Sequence, residues 1–188
     1  MKVLLRFSGL IDGLNEVVGR IVYWLVLVAV LISSGNAVMR YTFDVSSNAW
    51  LELQWYLFAA VFLLCSGYTL LRNEHIRIDV VASRFSPRGQ AWIDVFGTLL
   101  FLLPMALLIL VLSIPMVQES YFRHEMSSNA GGLLRWPVKA LIPAGFVLLV
   151  LQAISELIKR IAFLTGHAPD HLAKHHDQAD QVAAGEPF

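Results

Sequence analysis

The chain has 188 residues, of which 57% are hydrophobic and 15% charged, with a formal net charge of zero and a mean hydropathy of +0.63. Soluble domains carry about 25% charged residues, so a water-facing surface cannot be built from this composition, and no basic excess exists to attract nucleic acid. The single cysteine, Cys65, excludes an intrachain disulfide.

In chain order, residues 3–18 come first. Leu4, Phe7, Ile11, Leu14 and Val18 recur at spacings of three and four, with Arg6, Asp12 and Glu16 off that face. The pattern predicts an amphipathic helix lying along the membrane surface, or else an extension of the span that follows. A bilayer crossing needs about 20 apolar residues, and four stretches supply them, near Arg20–Met39, Trp50–Leu71, Gln90–Val117 and Val138–Phe163. The first reads as a retained span and not as a cleaved leader: its apolar part begins after Asp12, Glu16 and Arg20, and Ser33-Ser34-Gly35-Asn36-Ala37 is a poor cleavage site.

The second span opens with Glu52, Gln54 and Trp55. Glu52 either bonds a partner helix or periplasmic protein, or is an interfacial carboxylate favoured by the dipole of a first helical turn. Farther in, Cys65-Ser66-Gly67 has no histidine at its depth to activate a nucleophile, so it reads as small groups packing between helices. Next comes RNEHIRIDVV (72–81). Arg72, His75, Arg77 and Asp79 there form a polar corner, suited to pair with one another, a partner subunit or lipid phosphate. Asp79 is placed to cap a short helix carrying Val80, Val81 and Phe85.

Ser86-Pro87 reads as an N-cap with proline at the first helical position, fixing the start of the third span. That span measures roughly 40 Å at 1.5 Å per residue, and Pro104 and Pro115 supply causes for a bend. The loop after it, ESYFRHEMSSNAGGLLRWPVK, turns at Gly131-Gly132. Asn129, Gly131, Gly132, Arg135 and Trp136 are its candidate docking residues for a periplasmic partner. Residues 166–188 are polar, with two prolines, and read as a disordered tail after a single membrane domain, 1–165. His167, His171, His175 and His176 lie in this tail without apolar support for a fixed metal site.

Orientation follows the Lys and Arg count. One side holds Lys2, Arg6, Arg20, Arg72, Arg77, Arg84, Arg88, Lys159, Arg160 and Lys174; the other holds Arg40, Arg123, Arg135 and Lys139. Ten against four places both termini in the cytoplasm. The fold class is therefore all-α, four membrane spans with both ends inside.

The cores of the spans, Ile21–Met39, Leu53–Leu71, Val95–Val117 and Leu141–Ser155, contain no Asp, Glu, Lys, Arg or His. Intramembrane ionisable groups are costly and are kept where ions or protons pass. Their absence argues against a stand-alone exporter. His75 and His124 fall on opposite sides of the bilayer, which argues against a membrane anchor holding haem between two histidines. An accessory or scaffold role, with no catalytic residue, is what remains.

Three stretches together, WLELQWYLFAAVFLLCSGYTLLRNEHIRIDV (50–80), SPRGQAWIDVFGTLLFLLP (86–104) and NAGGLLRWPVKALIP (129–143), resemble the small membrane subunit of the tripartite ATP-independent periplasmic (TRAP) transporters. The resemblance covers about residues 48–165. It implies two protein partners, a periplasmic substrate-binding protein and a large membrane subunit that carries substrate and sodium by an elevator motion. It also implies that the small subunit braces the large one among the membrane lipids, with no cofactor in this chain and sodium on the large subunit. Residues 129–143 resemble the branch associated with mannitol or chloroaromatic compounds, which implies sodium-coupled uptake of a small organic acid across a bacterial inner membrane. Cys65 and Ser66 depart from the glycine and alanine usual at their positions.

Overall fold

The computed structural model describes residues 1–45, 47–73 and 85–167. Its elements are α1 (Lys2–Phe43), α2 (Asn48–Leu64), α3 (Ser66–Leu71), α4 (Pro87–Gly97), a π-helical turn (Thr98–Leu102), α5 (Leu103–Phe122) and α6 (Trp136–Leu164). Four helical stretches are long and apolar enough to cross a membrane: Lys2–Phe43, Asn48–Leu71, Pro87–Phe122 and Trp136–Leu164. They run alternately up and down, so the all-α, four-span reading holds.

For the start of the chain, the structure takes the second of the two alternatives, an extension of the first span. No separate surface helix occupies residues 3–18; they are the opening turns of α1, whose 42 residues extend about 63 Å. No proline interrupts them, so nothing stops the helix until Asp44, which adopts a left-handed conformation (φ 55°) and returns its N–H to the Met39 carbonyl. The face packed against the other helices mixes small and polar residues with a few apolar ones. Ser8, Ile11, Asn15, Gly19, Val22 and Ala29 are buried, while Leu4, Phe7 and Leu14 are exposed. The physical reason is the solvent: lipid tails are as apolar as leucine, so membrane helices meet through small and hydrogen-bonding residues and turn large apolar ones outward.

The other spans follow their local chemistry. Ser86 caps α4, its hydroxyl accepting from the Gly89 N–H at 3.3 Å, with Pro87 in the first turn. Pro104 lacks an N–H and its ring would strike the carbonyl four residues back. The π-helical turn Thr98–Leu102 immediately precedes it and widens the helix where that carbonyl lies. The second span is broken only at Cys65, where the Ser66 hydroxyl donates to the Leu63 carbonyl at 2.7 Å and to Gly145 of α6 at 3.3 Å.

Helix α6 touches every other element and forms the axis of the bundle. Its core contact is modest, Leu149 and Val150 against Ala106, ringed by Leu70, Leu102, Leu103, Phe146 and Ile154. Close approach does the rest. A Cβ at Gly145 would lie 2.5 Å from the Leu63 carbonyl oxygen, and one at Gly67 would lie 2.2 Å from Asn15 Oδ1. The sequence reading of Cys65-Ser66-Gly67 as helix packing agrees with this geometry.

Candidate functional site

Polar groups gather at the two ends of the bundle. At the end that the Lys and Arg count assigns to the outside, called the outer end below, the loop 123–135 folds back on the start of α2. Met126 and Leu134 pair across it as an antiparallel bridge, with Ser127 N–H donating to Leu133 O at 3.0 Å and Arg135 N–H to Glu125 O at 2.9 Å. Beneath the loop sits Glu52, only 4% exposed. Its carboxylate accepts from the Ser127 hydroxyl, from Asn129 Nδ2 at 2.8 Å and from the Leu133 N–H at 2.7 Å. Asn48 Nδ2 reaches the Ala130 carbonyl (3.0 Å) and the Tyr56 hydroxyl reaches Leu134 O (3.0 Å).

Gly131 takes a positive φ of 71°, which suits glycine. At Gly132 a side chain would run into Ser127 and Glu52. Lys139, in the first turn of α6, pairs with Glu125. That pair holds the Glu125 carboxyl below its ordinary value.

At the inner end, a buried network joins α1 to α6. Asp12 is its hub: Ser155 Oγ donates to Oδ1 at 2.7 Å, Gln152 Nε2 at 2.9 Å, and Lys159 Nζ lies 3.1 Å from Oδ2. Gln152 Oε1 accepts from Asn15 Nδ2 at 2.8 Å, and the hydroxyls of Ser8 and Ser155 are 2.7 Å apart. Glu156 bonds both Gln152 (3.0 Å) and Lys159 (2.5 Å). Two ion pairs flank the network. Arg160 meets Asp94 of α4 at 2.6 Å, and Arg72 Nη2 meets both oxygens of Glu16 at 2.7 and 2.8 Å. A polar group buried in lipid must find partners in its own chain, and each clasp ties one helix end to the next element.

The sequence-predicted residues distribute as follows. Glu52 and Asn129 meet, so Glu52 faces inward onto the loop and not outward toward a partner helix. Gln54 is half-buried and Trp55 exposed. Trp136 meets Tyr121 edge-on at 5.4 Å, and Arg135 stands at the start of α6. Arg72 joins Glu16. His75, Arg77 and Asp79, the capped helix at Asp79, and the tail from residue 168 lie outside the described residues. The inner network escaped the sequence reading. Its signal was present as polar residues at helical spacing on both partners, at 8, 12 and 15 on α1 and at 152, 155, 156 and 159 on α6.

A family model for the tripartite ATP-independent periplasmic transporters, DctQ component, matches residues 29–163. The chain belongs to this family. The DctQ component is a small membrane subunit of a three-part transporter, not an enzyme, and with four spans it is a multi-pass inner-membrane protein. Membership sets aside the readings as a redox anchor or a stand-alone exporter. The match includes Glu52, the whole outer loop and nearly all of α6, whereas the α1 half of the inner network precedes it. No curated protein and no solved structure matches the chain.

Proposed function

We propose that this DctQ component braces the large membrane subunit of a sodium-coupled, binding-protein-dependent importer of a small organic acid. The carrying observation is where the chain keeps its charge. Every ion pair described above closes at an end of the bundle, and the span cores have no Asp, Glu, Lys, Arg or His with which to carry an ion or proton. Substrate and sodium would then be held by the large subunit, and this chain would supply rigid apolar surface beside it. Gly145 and Gly67 hold the helices close, which suits a brace. The organic-acid assignment rests on the resemblance of residues 129–143.

Two surfaces are assigned within this reading. The outer loop, held in one shape by Glu52, offers Asn129, Gly131, Arg135 and Trp136 toward the periplasmic binding protein. The cytoplasmic corner with His75, Arg77 and Asp79 contacts the large subunit or lipid headgroups. The test is to tag the chain, extract the membranes gently and identify what co-purifies. A stoichiometric large polytopic protein supports the brace; a lone chain or homodimer refutes it. Asp79→Ala should lower complex yield and uptake without altering substrate preference, and a changed preference would remove Asp79 from the contact surface.

A further inference from the structure

Beside the Arg72–Glu16 clasp, α1 and α2–α3 border a groove of about 600 Å³, within the range of ligand sites (about 300–1,000 Å³). Gly19, Tyr23 and Val26 of α1 form one wall, and Val61, Cys65 and Tyr68 the other, with Glu16 and Arg20 at the mouth. The Tyr68 ring lies so close to Gly19 that a Cβ there would be 2.6 Å from it. The body of the groove is mainly apolar, and its charged groups, Glu16 and Arg20, sit at the inner end.

The charge at the mouth is unbalanced. Arg72 already occupies both oxygens of Glu16 and stacks its guanidinium over Tyr68 at 5.3 Å. Arg20 stands 3.6 Å from the same carboxylate, beyond hydrogen-bonding length, and its side chain is 77% exposed. Two guanidiniums therefore share one carboxylate, leaving one positive charge in excess among the described residues. Depth is marked independently. Tyr23 and Trp24, one turn farther into the membrane than Arg20, are exposed rings in edge-to-face contact, and such rings favour the headgroup level.

We infer that this groove binds an anionic phospholipid of the inner leaflet, one acyl chain lying between α1 and α2–α3 and the phosphate on Arg20. An acyl chain makes no hydrogen-bond demand of the apolar walls. A phosphodiester, in contrast, supplies the paired acceptors that a guanidinium fork takes up. A partner helix would have to bring its own carboxylate to the mouth. The inference stands whether or not the chain braces a larger subunit, because the site is built from this chain alone.

Native mass spectrometry of the purified full chain, titrated with phosphatidylglycerol or phosphatidylcholine, tests the assignment. The wild type should prefer phosphatidylglycerol. Arg20→Gln should weaken that lipid about five-fold while leaving phosphatidylcholine unchanged, as expected for one basic residue near a headgroup. Val61→Trp, which fills the groove, should weaken both. A photo-crosslinking residue at Val26 in intact membranes should capture phospholipid. Equal affinity for the two lipids, an unaltered Arg20→Gln, or cross-links to polypeptide alone would each overturn the site.

Discussion

Gln152→Leu tests whether the inner network or the apolar packing holds α1 to α6. Gln152 is completely buried, and leucine is close to it in size, so the change removes polarity with little cavity. Three hydrogen bonds go: from Asn15 at 2.8 Å, to Asp12 at 2.9 Å and to Glu156 at 3.0 Å. Both carboxylates keep Lys159 as a partner. Asn15 is the group left stranded; it too is completely buried, and its remaining bond is a long one, 3.3 Å to Ile11 O.

Two estimates bracket the cost. Interhelical hydrogen bonds in membranes average about 0.6 kcal/mol, so the two lost between helices give a floor near 1 kcal/mol. A buried polar group left unpaired costs about 1–3 kcal/mol, which raises the total to roughly 2–4 kcal/mol. A double-mutant cycle separates the terms. Asn15→Ala removes the stranded amide, so the double variant should cost about 1 kcal/mol less than the sum of the singles. The assay is reversible unfolding of the purified chain in mixed micelles, followed by helicity. A loss below about 0.5 kcal/mol, or strict additivity in the cycle, would refute the argument and return the α1–α6 contact to packing alone.

Four further outcomes follow from the same structure. Glu52→Ala should speed amide exchange at Leu133 roughly 10–100-fold, because that N–H loses its acceptor; unchanged exchange measured by mass spectrometry would mean the loop holds its own shape. Gly145→Ala drives a methyl to 2.5 Å from the Leu63 carbonyl and should destabilise the bundle by ~1–3 kcal/mol in the same unfolding assay. Gly97→Ala, which meets nothing within 4 Å, should be neutral or slightly stabilising. Finally, the depressed Glu125 carboxyl contributes stability that is present above its ordinary value of 4.5 and fades as pH falls through its lowered value in the folded chain. Loop protection factors, from which the intrinsic pH dependence of exchange has been divided out, should therefore fall on acidification below that point in the wild type. In Lys139→Met that acid response should shrink, since the principal cause of the shift is gone.

The sequence disclosed the spans because their signal is cumulative: some twenty apolar residues in a row leave few alternatives. It disclosed the start of α4 because Ser86-Pro87 is a local chemical signal, read without knowing the fold. Which face of α1 packs against the other helices is not given by its apolar stripe, for a reason specific to lipid. Leu4, Phe7 and Leu14 form the apolar stripe that a soluble helix would bury, yet here Ser8, Asn15 and Gly19 are the buried ones. Glu52 could be noticed but not interpreted, since its three donors come from residues 127, 129 and 133 and no spacing rule connects them to position 52. The same holds for Asp94 and Arg160.

The placement of polar groups has a mechanical consequence. Hydrogen bonds and ion pairs at the inner end fix α1, α4 and α6 relative to one another, and the Glu52 loop fixes α2 to the start of α6. Between those ends the helices touch through Gly67, Gly145, Ala106 and a few leucines, so large side chains such as Phe62, Phe101 and Leu112 remain on the outside. A chain that spent its large apolar residues on its own core would have little left to offer a neighbour, because only lipid-facing surface is available to a second membrane protein. Clamping at both ends thus leaves broad apolar faces in the membrane while limiting the motions of the helices that carry them. For the bracing role proposed above, rigidity at the ends and open surface between them are complementary requirements, and the Gln152 and Glu52 variants probe them one end at a time.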